Sequence, residues 1–150
     1  MSEFLTFTLG AERYGVDILQ VREIRRYENV TPLAGSADFL KGVMDLRGAI
    51  VPIVDLRMRL KLERAAYDAL TALIILSIGD RLVGMVVDSV SDVAAFAPQD
   101  IKPVPELGGA AAGRYITGLA STDGGMVLLL DLARVVSSEA LEHLPQAEPA

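Results

Sequence analysis

Short apolar segments, separated by turns that contain glycine and polar residues, follow one another along most of the chain. Residues 4–9 are rich in strand formers and alternate weakly. Residues 14–18 resume the pattern after a turn at Gly10, so the two segments predict a β-hairpin. Residues 43–54 predict a second hairpin that turns at Arg47 and Gly48. Both hairpins favour a β-rich fold.

The segments around these hairpins are less regular. Residues 21–27 fit either a strand or a single helical turn, whereas residues 36–42 predict a short helix with Ser36 as its N-cap. Pro52 has no backbone N–H, which predicts that its strand lies at a sheet edge or at a bulge. Asp55 is placed to cap a short helix that extends to Leu62.

The second half of the chain repeats this organisation. Five of its segments have the composition of strands: residues 72–78, 82–88, 92–97, 115–120 and 126–130. A loop rich in proline, and then in glycine and alanine, spans residues 98–113. The chain turns helical after Asp131, and Ser137 or Ser138 is placed to cap a last helix. The pattern as a whole predicts an all-β fold with short helices and a C-terminal helix.

An internal repeat relates the two halves. A shift of 76 residues aligns Gly42 with Gly118, Gly48 with Gly124, and Asp55 with Asp131. A shift of 69 residues aligns Gly10 with Gly79, Gly15 with Gly84, Val21 with Val90, and Ile24 with Val93. About five short strands per copy favour two small closed barrels, since closure removes exposed edges. We therefore predict one domain of two tandem barrels, at about residues 4–65 and 70–136, with some exchange of terminal elements and a groove between them.

Composition and charge narrow the class of function. The 150 residues are 51% hydrophobic, which is enough for a packed core, and the net charge of −6 with scattered basic residues argues against nucleic-acid binding. The absence of cysteine excludes disulfides, thiolate metal sites and cysteine nucleophiles. No apolar run approaches the length that spans a bilayer and no signal peptide is present, so a cytoplasmic protein without membrane insertion is expected.

Candidate chemistry was sought and is sparse. The repeat pairs Asp55 with Asp131, but neither is followed by the hydroxyl residue and glycine of an aspartic-protease dyad, so helix capping is the better interpretation. His143 is the only histidine and lies in a polar segment near the C-terminus. The sequence therefore predicts no catalytic residue, no metal site and no cofactor. Glu23 and Arg47 are charged residues within apolar segments, and we expect them to form an ion pair. Arg47 alone fits either a solvated turn residue or a group that fixes a loop or a partner.

With these segments in place, the chain resembles the bacterial chemotaxis coupling protein family, CheW. The resemblance extends from about residue 3 to 144 and is carried by residues 4–10, 14–19, 39–57, 83–93 and 115–119. The family usually has Asn-Leu-Arg-Gly where this chain has Asp45, Leu46, Arg47 and Gly48.

The resemblance implies two intertwined five-stranded SH3-like barrels. It also implies a non-catalytic scaffold that joins the cytoplasmic tip of methyl-accepting chemoreceptors to the regulatory domain of the histidine kinase CheA, in arrays at the membrane. The receptor tip is expected in a groove near the positions that match the family: Val21, Glu23, Ile24, Gly42 and Arg47. The alternatives are a CheW-like regulatory module of a larger chemotaxis protein, such as the kinase C-terminal domain or a receiver fusion, and a small-molecule-binding protein that uses the groove between the barrels.

Overall fold

The computed structural model describes residues 1–35, 37–63, 66–104, 114–122 and 124–137. Within these ranges the chain forms eleven β-strands: β1 Ser2–Leu9, β2 Glu12–Asp17, β3 Val21–Arg26, β4 Leu40–Leu46, β5 Ala49–Asp55, β6 Ala72–Ile78, β7 Arg81–Val87, β8 Ser89–Phe96, β9 Ile101–Lys102, β10 Ile116–Thr122 and β11 Gly125–Leu130. Two short α-helices, α1 (Leu56–Arg59) and α2 (Leu132–Val136), follow β5 and β11. The prediction of an all-β fold with short helices is confirmed.

The strands form two sheets. The six-stranded sheet has the order β8-β1-β2-β11-β10-β9, and the five-stranded sheet has the order β3-β6-β7-β5-β4. Neighbours are antiparallel except for β2 with β11 and β5 with β7, which are parallel. Each sheet therefore combines strands from both halves of the chain, with the hairpin β1–β2 joined to β8–β11 and the hairpin β6–β7 joined to β3–β5. The six-stranded sheet has one strand more than expected, the two-residue β9.

Equivalent contacts recur at the repeat positions. The backbone N–H of Asp55 donates to the carbonyl of Phe39 over 2.7 Å, and that of Asp131 donates to the carbonyl of Tyr115 over 2.8 Å. The side chain of Asp55 accepts a hydrogen bond from the N–H of Met58, and Asp131 caps α2 in the same way. Both aspartates are thus helix N-caps, as the sequence predicts.

Three apolar clusters support this arrangement. The largest contains residues from both sheets, including Phe7 and Val16 of the six-stranded sheet and Ile74 and Met85 of the five-stranded sheet. A second cluster lies on the other face of the five-stranded sheet and contains Ile75. A third, smaller cluster belongs to the six-stranded sheet. The largest cluster therefore joins the two sheets, and the other two are specific to each sheet.

The helix expected at residues 36–42 is wrong. Leu40 begins strand β4 instead, and the turn before it is closed by a hydrogen bond of 3.0 Å from the N–H of Leu40 to the carbonyl of Ala37. The reason is not local, because Thr31 and Val43 exchange two backbone hydrogen bonds of 2.8 and 2.9 Å and hold the segment extended. Ser36, the expected N-cap, lies outside the described residues.

Pro52 was expected at an edge or a bulge, but its strand β5 lies between β4 and β7. Pro52 is opposite Val43, whose own N–H and C=O are bonded to Thr31 on the far side of β4. In such an antiparallel pair the nitrogen of Pro52 points away from β4, and the parallel pairing with β7 begins only at Ile53. The missing N–H thus leaves no ladder bond unmade.

The helix after Asp55 is shorter than the sequence predicts. It ends at Arg59 rather than at Leu62, because Lys61 adopts a positive φ of 63°, which a continuing helix does not allow. The last helix, expected after Ser137 or Ser138, lies outside the described residues. The division into subdomains at about residues 65–70 stays a prediction.

Candidate partner-binding surface

A bulge in β3 decides which way the candidate residues face. Val21 is opposite Leu76 and Glu23 is opposite Ile75, so Arg22 is an extra residue on β3. Because residues opposite each other point to the same face of a sheet, Val21 shares a face with Leu76 and Glu23 shares the other face with Ile75. Without the bulge, Val21 and Glu23 would lie on one face.

Ile24 lies on the same face as Val21. Its partner is Ile74, which belongs to the cluster between the two sheets, and Val21 packs against that cluster. Ile24 remains 48% exposed at the edge of the sheet. Val21 and Ile24 therefore form an apolar strip on β3, beside the junction of the sheets, which we call the β3 strip.

Glu23 and Arg47 form the ion pair that the sequence predicts. Nη2 of Arg47 donates to Oε1 of Glu23 over 3.0 Å, and the other oxygen of Glu23 lies 3.8 Å from Nη1 of Arg25. The Arg47 side chain is 67% exposed and that of Glu23 is 28% exposed. The pair links β3 to the β4–β5 hairpin, which are at opposite edges of the five-stranded sheet.

The β4–β5 turn sets the position of Arg47. Arg47 and Gly48 have φ angles of 51° and 91°, as in the two-residue turns that suit the twist of a hairpin. Oδ1 of Asp45 accepts a hydrogen bond of 2.8 Å from the N–H of Gly48. Since an asparagine at this position carries the same Oδ1 acceptor, the aspartate of this chain preserves the turn.

A cleft of about 140 Å³ lies beside the ion pair. It is lined by Arg22, Glu23, Leu46, Arg47, Ala49, Ile75 and Leu82. Three of these side chains are charged and the rest are apolar, so the cleft has a charged rim and an apolar floor.

Gly42 does not belong to this surface. It is buried, has a φ of 148°, and a Cβ at this position would overlap the carbonyl oxygen of Thr31 and lie 2.9 Å from Cα of Pro32. The absence of a side chain allows the Thr31–Val43 bridge to form. Gly42 thus shapes the surface by allowing close approach of the backbone.

The repeat provides a counterpart to Glu23 that the sequence analysis missed. A shift of 69 residues aligns Glu23 with Asp92, which also follows a bulge on an edge strand, β8. Oδ1 of Asp92 lies 3.3 Å from Nη2 of Arg13 and accepts a hydrogen bond of 2.6 Å from the buried hydroxyl of Thr6. Val93, aligned with Ile24, is 49% exposed against 48% for Ile24. Both sheets therefore present an acid and an exposed apolar residue on an edge strand.

The other repeat positions are structural. Gly48 lies in the β4–β5 turn, and Gly124 lies in the turn between β10 and β11. Oδ2 of Asp55 also accepts a hydrogen bond of 2.6 Å from the hydroxyl of Tyr67. The segment after α1 is thereby attached to the start of that helix.

Arg57 and Asp88 form a second ion pair that the sequence analysis did not identify. Hydrogen bonding to Arg57 lowers the pKa of the Asp88 carboxyl from its ordinary value, and the same bond raises the pKa of Arg57. The shift-69 alignment offers no signal for this pair, because it aligns neither residue with a charged partner.

Within the described ranges, no group of three or more histidine, cysteine, aspartate or glutamate residues could hold a metal ion. In the same part of the chain, no helix is long and apolar enough to cross a membrane. His143 lies outside the described residues.

Comparison with known proteins agrees with this geometry. A family model described as "CheW-like domain" matches residues 3–140. The chain is 48% identical over 139 residues to "Chemotaxis protein CheW" of Klebsiella aerogenes, covering 93% of this chain and 84% of that protein. It is 34% identical over 140 residues to the protein of the same name from Rhizobium meliloti, covering 93% and 90%.

A solved structure is similar along nearly the whole length. The crystal structure of scaffolding protein TtCheW from Thermoanaerobacter tengcongensis matches with a TM-score of 0.87 and 27% identity, over 95% of this chain and 97% of that one. Together with the family model across residues 3–140, this places the chain in a family: it belongs to the CheW-like domain proteins.

Proposed function

We propose that this protein is a non-catalytic coupling adaptor of chemotaxis, which joins the cytoplasmic tip of methyl-accepting chemoreceptors to the regulatory domain of the histidine kinase CheA. The observation that carries the proposal is the similarity across residues 3–140 to a family whose relatives are named chemotaxis protein CheW. An adaptor of this kind acts by geometry: it holds two partners at fixed positions and needs no reactive group.

The β3 strip, Val21 and Ile24, is the proposed contact for the receptor tip. An amphipathic helix can lay its apolar face along an exposed apolar strip beside a groove. Ile24 supplies exposed apolar area, and the half-buried Val21 packs on the core beneath and holds the strip in place.

Glu23 and Arg47 are the proposed polar part of the same surface. Because the β3 bulge turns them to the other face of the strand, they lie at the end of the sheet rather than along the strip. A partner that contacts the strip and the ion pair together must extend around the edge of β3.

The kinase domain is proposed to bind a different surface at the ends of the sheets. Separate surfaces allow both partners to be bound at once, which coupling requires. Individually weak contacts, of roughly micromolar affinity, then gain strength when many copies assemble in an array at the cytoplasmic side of the membrane.

The test is a three-component titration. Purified protein is titrated with a receptor cytoplasmic fragment, with the CheA regulatory domain, and with each in the presence of saturating amounts of the other. We expect a ternary complex in which either partner leaves the affinity for the other undiminished. Mutual exclusion, or failure to bind either partner, would refute the adaptor.

The family similarity favours the adaptor over a small-molecule-binding protein. A thermal-shift screen with nucleotides, metal ions and amino acids provides the control, because an adaptor of this kind should keep its melting temperature in all of them.

A further inference from the structure

Three arginines line one cavity on the side of the molecule where the two short helices meet. The cavity has a volume of about 270 Å³ and is lined by Arg59, Arg114, Tyr115, Arg134 and Ser137. Among these described lining residues none is acidic, although the whole chain has a net charge of −6. We call this feature the arginine cavity; it involves none of the residues of the β3 strip or the Glu23–Arg47 pair.

Arg59 is held rigidly at one side of the cavity. Its guanidinium lies 4.5 Å from the ring centre of Phe39 and 5.1 Å from that of Tyr115. Its Nε donates to the carbonyl of Val135 over 2.6 Å, and Nη2 donates to the carbonyl of Ser137 over 2.9 Å. Contact with two rings and two carbonyls fixes the direction of this charge.

Arg114 and Arg134 bring two further charges to the same place. The guanidinium of Arg114 lies 6.0 Å from the ring centre of Tyr115, and Nη1 of Arg134 donates to the backbone carbonyl of Arg114 over 3.3 Å. The carboxylate nearest to Arg134 is that of Asp131, at 3.6 Å, which also caps α2. Three positive charges are thus offset by one carboxylate among the described neighbours.

The repeat shows that the fold does not require these charges. The shift of 76 residues aligns Tyr115 with Phe39, so an aromatic ring is present in both copies. The residue before the ring is Arg114 in one copy and Asp38 in the other. Arg134 of α2 is aligned with Met58 of α1. Because the first copy folds equivalently with an acid and a methionine, the gathering of like charges in the second copy calls for another explanation.

We propose that the arginine cavity binds a dianionic phosphate group, either free phosphate or a phosphorylated side chain. Guanidinium groups present several N–H donors in a fixed fork, which suits the oxygens of a phosphate, and they stay charged at all physiological pH values. The preorganised Arg59 provides the base of the site. The exposed Arg114 and Arg134 close on the anion from the rim, and the anion relieves the repulsion among the three charges.

The experiment follows backbone amide NMR signals while inorganic phosphate is added at pH 8, with ionic strength held constant by chloride. A second arm uses a phosphoserine peptide and its unphosphorylated form. We expect saturable shifts confined to residues around 114–115 and 134–137. A stronger response to the phosphopeptide identifies a phosphorylated side chain as the ligand, and a response to phosphate alone identifies the free anion.

The variant Arg114→Gln/Arg134→Gln removes two exposed charges, and Arg22→Gln/Arg26→Gln is its control, with the same loss of charge on β3. We expect the first variant to weaken binding at least tenfold and the control to change it less than twofold. Equal weakening in both variants would reduce the effect to net charge and overturn the proposal. The absence of localised shifts in both arms would overturn it as well.

Discussion

Arg57 and Asp88 form a two-pronged ion pair that ties the two sheets together. Nε and Nη2 of Arg57 donate to the two carboxylate oxygens of Asp88 over 2.8 and 2.5 Å. Asp88 follows the last residue of β7 in the five-stranded sheet, and its Oδ2 also accepts a bond of 2.7 Å from the N–H of Gly10, in the β1–β2 turn of the six-stranded sheet. One carboxylate therefore connects a helix with both sheets.

This pair predicts an acid-dependent stability. The bond from Arg57 holds the pKa of Asp88 below its ordinary value of 3.8, so the stabilisation is fully present above that value and is lost as the pH falls through the lower, folded-state pKa. We expect Asp88→Asn to lower the free energy of unfolding at pH 7 by about 1–3 kcal/mol. Urea unfolding at pH 7 and at pH 3 should show the difference between the two proteins shrinking at the lower pH.

The matched control is Asp80→Asn, in the exposed turn between β6 and β7. Its free energy of unfolding should stay within about 0.5 kcal/mol of the parent at both pH values. A difference between Asp88→Asn and the parent that is independent of pH would contradict the role assigned to the ionised carboxylate.

Gly42 is predicted to act through the fold. A methyl group there would overlap the Thr31 carbonyl in a strained backbone conformation, so Gly42→Ala should cost about 3 kcal/mol or more in free energy of unfolding. The control is Gly35→Ala, where φ is 76° but no atom lies within 4 Å of the added carbon, and the cost should be about 1–2 kcal/mol. Chemical unfolding of the two variants measures the difference, and equal costs would show that the contact with Thr31 is unimportant.

The Glu23–Arg47 pair is predicted to contribute little to stability. We expected from the sequence that removing one partner would cost more than removing both if the pair were buried, but Arg47 is 67% exposed. A double-mutant cycle with Glu23→Gln and Arg47→Gln should give a coupling free energy of about 0.2–1 kcal/mol. Unfolding at low salt and in about 1 M NaCl provides the check, since the coupling should weaken with added salt. A coupling that salt leaves unchanged would indicate a buried pair.

Features of the fold that depend on nearby residues could be predicted from the sequence. The β4–β5 hairpin follows from Arg47 and Gly48 between two apolar runs, and the caps at Asp55 and Asp131 follow from an aspartate just before a helix. The ion pair of Glu23 with Arg47 was predictable because both charges interrupt apolar segments, although they are far apart in the sequence.

Features that depend on distant backbone contacts could not. The segment before β4 has the composition of a short helix, but its pairing with Thr31 through Val43 outweighs that preference. The facing of the candidate site was equally hidden, because a single extra residue, Arg22, separates Val21 from Glu23. Alternation alone gives no sign of such a bulge.

The β3 strip and the ion pair lead to a prediction about binding. Replacing Ile24 with serine removes exposed apolar area from the strip without disturbing the core, since the side chain is already 48% exposed. We expect Ile24→Ser to weaken binding of a receptor cytoplasmic fragment by about 5–30-fold, corresponding to about 1–2 kcal/mol of lost apolar burial. Arg47→His and Val21→Met should also weaken receptor binding, whereas binding of the CheA regulatory domain should change less than twofold in all three variants.

The control for this prediction is Leu70→Ser, which removes a similar apolar side chain that is 69% exposed and lies away from β3. It should leave both affinities unchanged. Each variant is titrated with each partner, and its melting temperature is measured to establish that the fold is intact. If the affinities for receptor and kinase fall together at an unchanged melting temperature, the two partners share one surface. Simultaneous binding then fails, because a protein with a single contact surface can compete for its partners but cannot couple them.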